Sequence, residues 1–152
     1  MADLVLIVTG SSGDFAIMDH CGETLATLGV AYRKVAASAH RQPAKLHAEM
    51  DAFTAQGGRV FICAAGMAAH LAGVVASRTT LPVLGVPLPG GIADGLDALL
   101  SMVQMPRGVP VGTLAVGKHG AINAAILAAQ ILALGDPALA ARLAAYKESL
   151  AA

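Results

Sequence analysis

The chain has 152 residues, and its ten Lys and Arg balance ten Asp and Glu, so its formal net charge at pH 7 is zero. That balance argues against a nucleic-acid binder, which ordinarily carries a basic surface. Hydrophobic residues reach 56% and the mean hydropathy is +0.67, yet the longest apolar tract, Ala121 to Leu134, is broken by Asn123 and Gln130 and falls short of the roughly 20 residues a helix needs to cross a bilayer.

The run DLVLIVT (Asp3 to Thr9) is continuously apolar up to the turn GSSGD, which predicts a first strand buried on both faces. Phe15, Ile17, Met18, Cys21, Leu25 and Leu28 then recur near helical spacing, and Gly29 closes the helix. VAYRKVAA (Val30 to Ala37) is the second strand and runs into SAHRQP. Pro43 suits the first turn of the helix that follows, which ends at Gly57 and Gly58. RVFICAA (Arg59 to Ala65) is a third strand, followed by GMAAH and a short helix to about Ser77. LPVLGVP (Leu81 to Pro87) is a fourth strand, and the loop LPGGIADG leads to a helix through about Val103. VGTLAVG (Val111 to Gly117) is the expected fifth strand. A helix from about Gly120 to Leu134 is apolar nearly all round, which predicts burial on every side. Asp136 and Pro137 break it before a last helix over about 137–150.

Alternation of strand and helix predicts an α/β fold: a doubly wound, Rossmann-like parallel sheet in three layers, one domain over 1–152 with its core in 3–134. Ligands in such sheets gather at the carboxyl ends of the strands. This rule sends GSSGD, SAHRQP, AGMAAH and PLPGG to one rim, with GKHGA as a further candidate. The apolar excess is more than a chain of this size can hide alone, so a homo-oligomer is expected. Cys21 and Cys63 show no metal spacing and read as buried thiols, and the amino terminus lacks the basic region of a signal peptide. Both point to a cytoplasmic protein with no membrane segment.

Each rim motif has a plain reading beside a functional one. In GSSGD, serine hydroxyls and helix-start N–H groups make an anion cradle, and Asp14 could cap the helix or hold ribose hydroxyls. The turn lacks the Gly-Lys-Ser/Thr of a Walker loop and the Rossmann GxGxxG. Arg41 could clamp a phosphate in two-pronged fashion while His40 moves a proton near neutral pH; the alternative is a solvated loop. His70 shares the rim, His20 and His47 sit within helices, and Lys118 and His119 stay open. No metal-ligand cluster and no nucleophile triad emerges from the sequence. The chemistry on offer is phosphate recognition with imidazole proton transfer.

Together GSSGD, SAHRQP, AAGMAAHLAG, PVLGVP and SMVQMPRGVPVGTLAVGKHGAINAAILAAQIL resemble the bacterial-type N5-carboxyaminoimidazole ribonucleotide mutases of purine biosynthesis, PurE class I, from about Leu4 to Leu134. The resemblance implies flavodoxin-like subunits in an octamer, active sites at subunit contacts, a small ribonucleotide substrate, and no metal or organic cofactor. It implies that His40 is the acid/base, that Ser11, Asp14, Ser38 and Arg41 contact the ribose phosphate, and that Ala65 to Leu71 line the imidazole and CO2 pocket. Gly66, Met67, His70 and Leu71 belong to that lining, and His70 joins His40 in the catalytic set. The chain departs from the family pattern at Gly13, where a second serine is usual, and at Ala64, Met67 and Ala72, which stand for Gly, Gly and Pro. Two alternatives follow: a divergent relative that moves CO2 on another phosphorylated heterocycle, or a non-catalytic nucleotide or flavin binder. Aromatic content of only 3%, with no Trp, disfavours flavin stacking.

Overall fold

A computed structural model describes residues 3–151; Met1, Ala2 and Ala152, the ends of the expected domain, lie outside the described residues. Its elements in chain order are β1 (Val5–Thr9), α1 (Phe15–Thr27), β2 (Tyr32–Ala36), α2 (Pro43–Ala55), β3 (Val60–Ala65), α3 (Leu71–Ala76), β4 (Val83–Pro87), α4 (Leu96–Val103), β5 (Gly112–Thr113), α5 (Lys118–Ala133) and α6 (Pro137–Ser149). Short 3-10 turns at Ser12–Asp14 and Ile92–Asp94 precede α1 and α4. The sheet has the order β2-β1-β3-β4-β5, and every pairing is parallel.

The strands sort their side chains by twos, as a pleated backbone must. Val5, Ile7, Val60 and Ile62 face one layer with Met18, Cys21 and Leu25 of α1 and the alanines of α5. Leu6, Val8, Phe61 and Cys63 face the other with Leu46, Met50 and Phe53 of α2, Leu71 and Val75 of α3, and Met102 of α4. Both faces of the central strands are therefore covered, which explains why β1 and β3 read as unbroken apolar runs and are buried at every position. The three-layer, doubly wound α/β reading holds.

Two expectations are corrected. The fifth strand pairs at Gly112 and Thr113 alone, where Val111 to Gly117 was expected. Beyond them the chain still runs beside β4, bonding Leu114 N to Gly85 O at 2.9 Å and Gly117 N to Pro87 O at 2.8 Å. Pro87 has no N–H to donate in return, so the ladder thins to single bonds. Helix α5 begins at Lys118 and is not buried on every side within this chain. Gly120, Ala121, Ala124, Ala125, Ala128 and Ala129 form its buried stripe, while Asn123 and Gln130 are exposed and Ile126, Leu127 and Ile131 are half-buried. Small residues at i, i+3 and i+4 let α5 lie close on α1 and the sheet, while α6 packs against its other flank and covers it only in part.

Among the described residues no helix is long and apolar enough to cross a membrane. Cys21 and Cys63 are free and buried. Burial pushes the Cys21 thiol up to about 12 and raises Cys63 as well. Since the thiolate is the nucleophile, neither cysteine of the folded protein should be alkylated by iodoacetamide at pH 8. Both should react once denaturant is added, as mass spectrometry of the intact chain would record. The linkage sign follows: these thiols favour the fold below the ordinary value of 9.0, and that contribution is lost as the pH climbs from 9 toward 12.

Candidate active site

All five strands point the same way, so the loops after β1, β2, β3 and β4 meet on one edge and wall a cavity of about 570 Å³. Every residue expected at the site is there: Ser11, Asp14, Ser38, His40, Arg41, Gly66, Met67, His70 and Leu71 all line it. His20 and His47 lie within α1 and α2, away from it. Lys118 and His119 begin α5 and do not line it either, so GKHGA is not part of this wall.

The first wall is the turn after β1. Thr9, fully buried, donates through Oγ1 to Ser11 O at 2.7 Å. Ser11 donates from both its backbone N and its Oγ to Asp14 Oδ2, each at 3.2 Å. Asp14 therefore braces the turn that starts α1, and the two bonds converge on one of its oxygens. Gly13, the departure from the family pattern, is exposed at this turn.

The second wall explains the grouping of Ser, His and Arg after β2. Ser38 is buried, and its Oγ accepts from Arg41 N at 3.2 Å while its carbonyl accepts from Gln42 N at 2.9 Å. The serine hydroxyl thus closes the loop on itself, and the loop turns His40 and Arg41 outward into the cavity mouth. Pro43 then opens α2 as expected.

The third wall follows β3. His70 caps the short helix α3, with its backbone N on Ala68 O and its carbonyl receiving Val74 N, both at 2.9 Å. Its ring meets that of His40 edge to face, with His40 Nε2 and His70 Nδ1 2.8 Å apart. With both rings neutral, one nitrogen donates and the other accepts; with both protonated, two N–H groups would face each other. The contact is thus a single imidazole–imidazole hydrogen bond between loops that are 30 residues apart in sequence. Met67, beside it, has φ of 52°, a left-handed backbone that costs a side-chain-bearing residue roughly 1 kcal/mol. It is 66% exposed, lines the cavity and does not enter the core.

A fourth wall, Leu88 to Gly91, was placed on the rim by the sequence but given no role there. Leu88 N bonds Ala65 O at 3.0 Å, which ties this wall to the end of β3. Gly90 and Gly91 both have positive φ, and the GG pair in PLPGG was the available signal. Among the described residues no group of three or more His, Cys, Asp or Glu is placed to hold a metal ion.

Such a site combines a cationic side chain, hydroxyls and helix-start N–H groups with a hydrogen-bonded imidazole pair, on the carboxyl rim of a doubly wound sheet. The class it defines is an enzyme that holds an anionic small molecule and moves a proton. Comparison with known proteins sharpens this. The AIR carboxylase family profile matches residues 4–152. The N5-carboxyaminoimidazole ribonucleotide mutase of Brucella melitensis is 50% identical over 145 residues, covering 95% of this chain and 90% of that one. The protein of the same name in Escherichia coli K12 is 50% identical over 139 residues, with 91% and 82% covered. That of Bacillus subtilis is 46% identical over 149 residues, with 98% and 92% covered. Among solved structures, Treponema denticola PurE superposes with a TM-score of 0.89 at 28% identity, covering 97% of this chain and 90% of that one. The chain belongs to the AIR carboxylase family.

Proposed function

We propose that this chain is an N5-carboxyaminoimidazole ribonucleotide mutase acting in purine biosynthesis. It moves a carboxylate from the exocyclic N5 of the substrate to C4 of the imidazole. The observation that supports this reading is the His40–His70 contact, 2.8 Å between ring nitrogens, inside the cavity that Arg41, Ser11 and Asp14 share. Relatives about half identical over nearly the whole chain bear that enzyme's name.

The chemistry follows from the residue types. Breaking the N5–carboxylate bond releases CO2 and leaves a nitrogen that takes up one proton. The ring carbon C4, made nucleophilic by the amino group, attacks the trapped CO2, and the proton on C4 must then leave to restore aromaticity. One proton goes onto nitrogen and one comes off carbon, so no net proton and no electron is exchanged. A single imidazole near neutral pH suffices, and His40 fills that role. His70, hydrogen-bonded to it, orients the ring and holds the proton in transit. Ser11, Asp14, Ser38 and Arg41 bind the ribose phosphate, Arg41 by charge-assisted bonds. Gly66, Met67 and Leu71 face the base and the CO2.

The protein works as a homo-oligomer, an octamer on the family pattern, in the cytoplasm. Ile92 in the turn before α4, Leu96, Leu100 and Val103 along α4, and Leu134 and Leu150 are exposed apolar residues that an assembly would cover.

The test is to incubate the purified protein with N5-carboxyaminoimidazole ribonucleotide and follow the C4-carboxylated product. 4-Aminoimidazole ribonucleotide with bicarbonate serves as the competing substrate pair. Faster product formation from the second pair, or none from either, would overturn the reading. Arg41→Ala should leave the fold intact and weaken binding of the phosphorylated substrate by about tenfold to a hundredfold, as a lost charge-assisted bond implies. Unchanged affinity by calorimetry would remove Arg41 from the phosphate site.

A further inference from the structure

Among the described residues, three that bear side chains hold a left-handed backbone: Met67, Ala93 and Asp94. The last two form one tight turn, and Asp94 repays its own strain locally by accepting Gly90 N on Oδ1 at 3.0 Å. Met67 has no such repayment. Its side chain makes no hydrogen bond, stays out of both core layers and is 66% exposed. Glycine would occupy this position without strain. Backbone strain of this kind persists where the surrounding structure enforces it, and it clusters at functional sites. Here the side chain lines the same cavity as His40, Arg41 and His70.

We propose that Met67 is a positioning residue that closes the CO2 half of the cavity, using its thioether side chain as a movable cover held in place by a strained backbone. This rests on the mutase reading above. A neutral, weakly held intermediate such as CO2 can be retained by exclusion alone, because it offers no charge to grip. An unbranched, apolar side chain with three rotatable bonds suits such a cover, because it yields as substrate enters and settles once the ring is bound. Its neighbours Gly66 and Ala68 are too small to compete for the space.

The proposal predicts leakage. Turnover of N5-carboxyaminoimidazole ribonucleotide is run in ¹³C-bicarbonate, and the label in the C4-carboxylate of the product is read by mass spectrometry, with the enzyme-free background subtracted. Met67→Gly and Met67→Ala should each raise incorporation about three- to tenfold, as losing the one or two methylenes that the side chain would bury on closing over the bound ring implies. Met67→Leu should restore the parent value. Met67→Gly should also melt at or above the parent's temperature, because it gives up strain and no core contact. Equal labelling across the parent and all three variants would overturn the proposal, as would a clear drop in the melting temperature of Met67→Gly. Absence of product from the parent protein is a different result, and it overturns the mutase reading instead.

Discussion

His40→Asn should lower carboxylate transfer by about 10²- to 10⁴-fold, the range that a positioned proton-transfer group contributes, while substrate affinity changes by less than about threefold. The reason lies in what the substitution keeps. Asparagine is of similar size, stays polar, and can still hydrogen-bond the His70 ring, whose Nδ1 lies 2.8 Å from His40 Nε2. The Ser38–Arg41 bond that shapes the loop is between a hydroxyl and a backbone N–H, so it survives as well. What disappears is a group able to take a proton from carbon and return one to nitrogen near pH 7. Binding is measured by calorimetry with the C4-carboxylated product, and transfer by chromatography of the reaction mixture. Turnover within a few fold of the parent would dismiss His40 as the acid/base. His70→Asn should show a smaller loss, since His70 acts through His40, and its pH profile should shift where a purely structural change would only lower the rate.

The parts of this architecture that were legible beforehand are those written in local patterns. Unbroken apolar runs at Val5–Thr9 and Val60–Ala65 announce strands buried on both faces, and Pro43 announces a helix start. The strand–helix alternation then fixes a parallel sheet, and the parallel sheet fixes which loops converge, so nine expected site residues fall on one cavity. What stayed hidden depends on partners distant in sequence. Pro87 cuts β5 short because it cannot donate to a neighbour across the sheet. Asp14 and Ser38 were read only as ligand contacts or caps, and the structure gives both an additional role in bracing their own loops. The left-handed backbone at Met67 is not announced by the methionine itself; the glycine usual at this position in the family pattern was the available signal. The burial of α5 was overestimated because composition reports how apolar a helix is and not what covers each flank.

Gly120→Ala should prevent the protein from folding to its native state, although it is the mildest substitution available at a helical position. A Cβ at Gly120 would stand 1.6 Å from the Ala115 carbonyl oxygen and 2.7 Å from its carbon. Both are backbone atoms, so no rotamer change can relieve the collision. Helix α5 would have to retreat by more than an ångström from the segment after β5. That segment is pinned to β4 by the Gly117 N–Pro87 O bond of 2.8 Å. The same helix supplies Ala121, Ala124, Ala125, Ala128 and Ala129 to the core layer with α1, so its retreat opens a seam along one whole side of the sheet. Several kcal/mol lost in this way is comparable with the total stability of a typical domain, about 5–15 kcal/mol. Gly135→Ala is the control: nothing lies within 4 Å of its Cβ position and its φ is not in the left-handed region. That variant should melt within about 2 °C of the parent, the shift expected from a surface change worth a few tenths of a kcal/mol. Thermal denaturation followed by circular dichroism decides the matter, and a Gly120→Ala protein melting with the parent would show that α5 does not sit where its contact with Ala115 demands.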